Sequence, residues 1–221
     1  MIKVENITKI FRVNEIETVA LDQVSLQVTQ GEFVSIMGPS GCGKSTMLNI
    51  MGLLDQPTEG AILINGTDVS EMKDKQLAHF RNQTLGFIFQ SFHLIPALNV
   101  LDNVELPMLY GENISAKEQR KRALDALEKV ELSHRLKHFP RQLSGGQCQR
   151  VAIARSLVSN PAVILADEPT GNLDSKMGAE ILDLLLNLNS EGTTIVMVTH
   201  DDRIAKKTHR IIRLLDGKIQ A

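Results

Sequence analysis

Little in this 221-residue chain points to a membrane span, a secretory route or a nucleic acid. No run approaches the roughly eighteen apolar residues that a span requires, and Met1-Ile2-Lys3-Val4-Glu5 opens a strand pattern instead of a signal peptide. The expectation is a soluble, unexported chain. Only two cysteines are present, Cys42 and Cys148; both lie in glycine-containing stretches without metal-ligand spacing, which predicts free thiols in a reducing cytoplasm. A formal net charge of −2 gives no general electrostatic reason to hold nucleic acid. Low-complexity tracts and internal repeats are missing as well. What is there is an ordinary globular composition, 43% hydrophobic and 23% charged, in a length that buries a substantial core.

Against that background one stretch stands out: Gly38, Pro39, Ser40, Gly41, Cys42, Gly43, Lys44, Ser45 and Thr46, which fits the phosphate-binding pattern G-x-x-x-x-G-K-[ST]. An apolar strand over Phe33 to Met37 enters it, and a helix-forming run from Lys44 to Leu54 leaves it. Glycines let the backbone curl until successive N–H groups share one concavity, and the following helix adds its positive end. The pattern predicts a seat for nucleotide phosphates, with Lys44 reaching the β- and γ-phosphates and the Ser45 hydroxyl on a bridging Mg²⁺.

Residues 1 to 30 alternate in short stretches and predict antiparallel strands. Phe11, within them, either stacks on an adenine ring or serves as a core or edge-strand phenylalanine. Ala61 to Ile64 reads as a strand ending in the Asn65-Gly66 turn, and residues 70 to 82 carry Met72, Leu77 and Phe80 at helical spacing. Leu85 to Phe89 is a buried strand ending in Gln90, which either reaches a bound metal or water or is a loop polar residue. From Ser91 the character turns helical: Ser115 and Glu118 make a capping-box pair, followed by Ala123, Leu124, Leu127 and Val130 on one face. The apolar opening of that insert, Phe92 to Val100, either packs inward or forms a groove for another protein.

Ser144, Gly145, Gly146 and Gln147 precede a run with Val151, Ala154 and Leu157 at helical spacing, which predicts a second helix N-terminus with exposed donors. Ala162 to Ala166 is a buried strand ending in Asp167 and Glu168. Asp167 is placed to hold Mg²⁺, usually through water, and Glu168 to take a proton from an attacking water. Asn172-Leu173-Asp174 opens a helix through Leu188. Thr194 to Val198 is another core strand, and it brings His200 to the same sheet edge as the acids. His79, His93, His134, His138 and His209 read as surface or satisfied core histidines. Arg210 to Gln220 closes the chain as a hairpin.

With both glycine motifs on the page, the chain resembles the ATP-binding subunit of ABC transporters over its full length. The phosphate loop at 38–46, Gln90, Leu143-Ser144-Gly145-Gly146-Gln147, Asp167-Glu168, Leu173-Asp174 and His200 fall in that family's order. Finer stretches such as GFIFQSFHLIPALNVLDNVELP and ILADEPTGNLDS look like the MacB, LolD and FtsE group.

The resemblance implies an α/β P-loop NTPase (ABC ATPase) fold in a single domain over 1–221. Its antiparallel β part is expected near 1–30 and 60–70, its nucleotide-binding core over 31–59, 83–90 and 160–221, and its helical signature subdomain over 91–159. It implies ATP hydrolysis with Mg²⁺, a head-to-tail homodimer, an integral membrane permease partner resembling those of MacB or FtsX, and a cytoplasmic place on the inner face of the cell membrane. No nucleic acid is expected. By the same resemblance Glu168 is the general base, His200 contacts the γ-phosphate, Gln90 touches Mg²⁺ or water and reports to the membrane subunit, Asp174 communicates across the dimer, and Phe11 stands where tyrosine is commoner. A signalling ATPase of cell division that moves no substrate is the alternative. Cys42 stands where serine is commoner; beside Lys44 and a helix N-terminus it is expected to favour the thiolate and to be open to maleimide, with Mg-ATP protecting it.

Overall fold

A computed structural model describes residues 1–14, 16–110 and 114–220. β1 (Ile2–Val13) and β2 (Ile16–Val28) pair antiparallel over their whole length. β3 (Phe33–Met37) follows and feeds α1 (Lys44–Met51). The chain then returns through β4 (Glu59–Ile64) and the short β5 (Thr67–Asp68) to α2 (Asp74–Thr84) and β6 (Leu85–Phe89). α3 (Val100–Glu105), α4 (Ala116–Lys129) and α5 (Gly145–Leu157) form the helical part. β7 (Val163–Asp167), α6 (Ser175–Ser190), β8 (Thr194–Val198), α7 (Asp202–Ala205), β9 (Arg210–Leu215) and β10 (Lys218–Ile219) complete the chain.

Two sheets result. The order β2-β1-β4-β5 is antiparallel; the order β10-β9-β3-β8-β7-β6 has parallel pairing from β9 through β6 and an antiparallel hairpin at the β10 edge. Parallel strands covered on both faces read as continuous apolar runs, and β3 and β8 are buried at every position. The odd and even residues of those strands face different cores. Val34, Ile36, Leu165, Val196 and Val198 join α1 and the antiparallel sheet, while Phe33, Ile164, Ala166, Ile195 and Met197 join α3, α4, α5 and α6. One six-stranded sheet therefore divides two hydrophobic clusters, and its carboxyl edge lies between them.

Several local expectations need correction. α1 stops at Met51, not Leu54, because Gly52 caps it and Leu53 turns to φ 55°. Met72 lies ahead of α2, which starts at Asp74. Ser115 caps α4 by accepting from the Glu118 N–H at 3.3 Å, but the Glu118 carboxylate turns to Arg122 at 2.8 Å, so the reciprocal bond of a capping box is replaced by an i,i+4 ion pair. On that helix Ala126 is buried and Leu124 exposed. The segment 92–100 packs inward only in part: Val100 is buried in the core and Leu94 packs against it, Phe92 and Leu98 are half-buried, and Ile95 is exposed. Its shape comes from a buried amide. Asn103 accepts from the Ile95 N–H at 2.8 Å and donates to the carbonyls of Ile95, Leu98 and Asn99 at 3.0–3.1 Å.

Candidate functional site

The loop between β3 and α1 is moulded against its neighbours. Gly43 sits at φ 102°, and a Cβ there would lie 2.4 Å from the Ala20 carbonyl; a Cβ on Gly38 would meet the Leu214 carbonyl at 2.0 Å. Only glycine fits either place. Gly43 is also the cap residue of α1, and no side chain caps that helix, so its leading N–H groups are free for a ligand. Lys44 is buried and donates to the carbonyls of Gly38 (2.9 Å) and Pro39 (2.8 Å), which holds its ammonium across the mouth of the loop.

Around that loop the carboxyl edge of the sheet gathers the expected polar groups. The Ser45 hydroxyl lies 3.5 Å from Asp167 Oδ1 at the end of β7. Burial pushes the Asp167 carboxyl above the usual carboxylate range; the Ser45 hydroxyl pulls it back, the neighbouring Glu168 raises it and Lys44 lowers it. Glu168 Oε1 is 2.8 Å from His200 Nδ1, a contact between a largely buried acid and an exposed ring. Gln90 and Asn172 exchange two hydrogen bonds, Gln90 Nε2 to Asn172 Oδ1 at 3.1 Å and Asn172 Nδ2 to the Gln90 carbonyl at 3.0 Å. Asp174 caps α6, accepting from the N–H groups of Lys176 and Met177 at 3.0 Å.

A hard carboxylate and a hydroxyl side by side suit Mg²⁺, which takes one or two protein oxygens and keeps several waters. Among the described residues no cluster of three or more His, Cys, Asp or Glu forms a richer metal cage.

Phe11 is 42% exposed on the β1–β2 arm, which removes the reading of it as a core residue. Lys9 lies over it, 5.0 Å from the ring centroid, and is fixed by Asp55 and the Gln56 carbonyl at 2.7 Å each. Cys42 departs from expectation. Its sulfur is 4.0 Å from Lys44 Nζ, but the side chain is only 4% exposed, so the loop that places it beside the ammonium also covers it from a maleimide. Cys148, on α5, faces the Pro140 carbonyl at 3.6 Å, and burial pushes its thiol up.

The second glycine motif lies elsewhere. Ser144 caps α5 with a reciprocal box: its hydroxyl accepts from the Gln147 N–H at 3.3 Å, and the Gln147 side chain accepts from the Ser144 N–H at 3.1 Å. Gly145 and Gly146 face Leu173 and Met177, at the start of α6. Among the described residues no hydrogen bond or ion pair joins 144–147 to 38–46. The structure thus brings Lys44, Ser45, Asp167, Glu168, Gln90 and His200 to one sheet edge and leaves the second motif out of it.

Sequence reasoning missed Asn172 as the partner of Gln90, and Gln149 and Asn103 as buried amides. A polar residue one turn into an apolar helix face was the available signal for Gln149.

The family described as ABC transporter matches residues 21–171. The chain is 53% identical, over 99% of its length and 97% of the other's, to an uncharacterized ABC transporter ATP-binding protein of Methanocaldococcus jannaschii. It is 46% identical to the macrolide export ATP-binding/permease protein MacB of Bdellovibrio bacteriovorus, matching with its whole length 34% of that protein. A solved dimeric structure of the ATP-binding cassette MJ0796, in a post-hydrolysis state bound to ADP and Pi, superimposes with a TM-score of 0.91 at 50% identity, over 100% of this chain and 97% of that one. Phe11, Asp174 and His200 lie outside the span that the family matches.

Proposed function

The chain belongs to the ABC transporter family of ATP-binding cassette ATPases, and on that premise we propose that two copies pair head to tail, with each ATP between residues 38–46 of one and Ser144 to Gln147 of the other. The observation that carries this reading is the presence of two prepared helix N-termini in one chain, at α1 and α5, that do not meet. Each offers roughly half a positive charge and free N–H donors to an anion. A triphosphate spanning both bridges two subunits, and loss of the γ-phosphate removes the charge that holds them together.

The chain's own residues divide the chemistry. Lys44 turns from the loop carbonyls to the β- and γ-oxygens. Ser45 and Asp167 would hold Mg²⁺, with Gln90 at the same sheet edge within reach of that site; bound there, the metal would neutralise charge on the phosphate oxygens. Glu168 takes the proton of the attacking water, and His200 orients that carboxylate and reaches toward the γ-phosphate. Phe11 offers a ring face to adenine, and Asp174 faces the partner copy across the shared site.

Among the described residues no helix is long and apolar enough to cross a membrane; the reading has the cassette act on a membrane permease, supported by the likeness to an ATP-binding/permease protein. A cleft of about 500 Å³ lined by Arg81, Phe87, Phe89, His93, Tyr110 and Arg155 opens next to Gln90 and is the place for that contact. The relation to MacB points to export driven through such a permease.

Replacing the base while keeping its shape tests the reading. Glu168→Gln is expected to bind Mg-ATP, to stop turning it over and to double its mass on sizing; a monomer with Mg-ATP bound would overturn the shared site.

A further inference from the structure

Glu168 occupies an unfavourable backbone position. Its φ is 46°, in the left-handed region that a residue with a side chain rarely adopts, and it precedes Pro169, which restricts it further. Such a conformation persists only where the surroundings hold it. The Glu168 N–H donates to the Val198 carbonyl at 3.0 Å, and the Gly171 N–H donates to the Glu168 carbonyl at 2.9 Å.

A third bond comes from a side chain on another element. Gln149, on α5, is completely buried, and its Nε2 donates to the Pro169 carbonyl at 2.7 Å. The same amide nitrogen lies 3.5 Å from the carbonyl of Phe89, the residue before Gln90. Among the described residues its Oε1 has no hydrogen-bond partner. The two carbonyl neighbours fix which end of the amide is nitrogen, so the acceptor end is the one left unpaired. A half-satisfied buried amide is a poor device for stability, since an apolar side chain of equal volume would avoid that penalty.

We propose that Gln149 is a positioning residue that ties α5 and its Ser144 N-terminus to the peptide carrying Glu168, so that seating of α5 against the nucleotide sets the aim of the general base. One amide spans the three places where the site must agree: the end of β6 ahead of Gln90, the helix behind the signature motif, and the turn after the base. The inference rests on Glu168 being that base.

The test uses the full-length chain in two backgrounds. Gln149→Met keeps the volume and removes the donor; in the native background kcat is expected to fall between about tenfold and a hundredfold, as a misaimed group costs, with Mg-ATP affinity unchanged. In the Glu168→Gln background the same change is expected to alter neither residual turnover nor dimer trapping, because a residue that acts through the carboxylate has nothing left to act on. Unchanged kcat in the native background would overturn the proposal. So would equal losses of turnover or affinity in both backgrounds, which is how a merely structural residue behaves.

Gln149→Glu is the second variant. Burial keeps that carboxyl neutral at low pH, where it still donates to Pro169, so its turnover relative to Gln149→Met is expected to be raised there and to decline as pH increases. A ratio flat with pH would count against the hydrogen bond as the cause. Were Glu168→Gln itself to keep full turnover, the reading of Glu168 as base would fail, an outcome visible without any change at Gln149.

Discussion

The two helix N-termini that this chain presents to an anion are built in opposite ways. At α1 the cap is Gly43, in the left-handed region and with no side chain over the leading N–H groups; around it the backbone approaches Ala20 and Leu214 so closely that a methyl group will not fit. At α5 the cap is Ser144, exposed and extended, with Gln147 closing the box. The first end is enclosed by its own chain and keeps its donors for a ligand. The second satisfies two of its backbone groups internally, with Ser144 exposed at its tip and Gly145 and Gly146 packed toward Leu173 and Met177. In the proposed shared site the enclosed seat would bind the nucleotide in the single subunit, and the open one would close on it later.

That contrast is easiest to break at Gly43. Gly43→Ala forces a Cβ to within 2.4 Å of the Ala20 carbonyl at φ 102°, and is expected to cost about 2–4 kcal/mol of stability and to abolish ATP binding to the single subunit, read by thermal unfolding and equilibrium binding. Ser144→Ala acts on the other end. It should cost about 1 kcal/mol of helix capping and weaken dimer formation about tenfold, while the affinity of the separate subunit for Mg-ATP, measured below the dimerisation concentration, stays as it was. Equal effects of the two substitutions on that affinity would erase the difference between the seats.

Asp167 sharpens the comparison from within the enclosed seat. Its carboxyl is raised in the fold, so its charge opposes folding at neutral pH, and stability is regained as pH falls through the folded value and the group is protonated. Asp167→Asn should therefore raise the melting temperature of the nucleotide-free chain by about 1–4 °C while ending Mg²⁺-dependent hydrolysis. A lowered melting temperature would mean that the charge is compensated by Lys44 and Ser45 more fully than burial penalises it. The smallest effect is expected at Cys42. Buried as it is, its native-state labelling by maleimide should be slow with or without Mg-ATP, and fast labelling that Mg-ATP suppresses would show that the loop opens in the free subunit.

Much of this was readable in the sequence where a single physical demand selects residue type and spacing together. The run into Asp167 had to be apolar because the strand is covered on both faces, and Gly38 and Gly43 had to be glycine because a side chain at either would run into the Leu214 or the Ala20 carbonyl. The pairing of Glu168 with His200 and of Gln90 with Asn172 depended on the order β3-β8-β7-β6, which aligns chain segments far apart in number and leaves no local spacing. Spacing puts the Cys42 sulfur near Lys44, but its burial arises in a cluster with Leu21 and Leu214, which lie far from the loop in sequence or on another strand. The spacing marks Gln149 as a polar residue on an apolar helix face, but its partner, the Pro169 carbonyl, is a backbone group twenty residues on that no side-chain pattern identifies.

Complementation between two inactive chains tests the shared site most directly. Lys44→Ala removes the phosphate lysine, and Ser144→Arg blocks the open helix end; each pure variant is expected to be without turnover. When the two are mixed with Mg-ATP, a head-to-tail pair contains one site with an intact loop from the second chain and an intact Ser144 from the first. Turnover that reappears on mixing is the result predicted here. A mixture no more active than its separate components would contradict a nucleotide held between two copies.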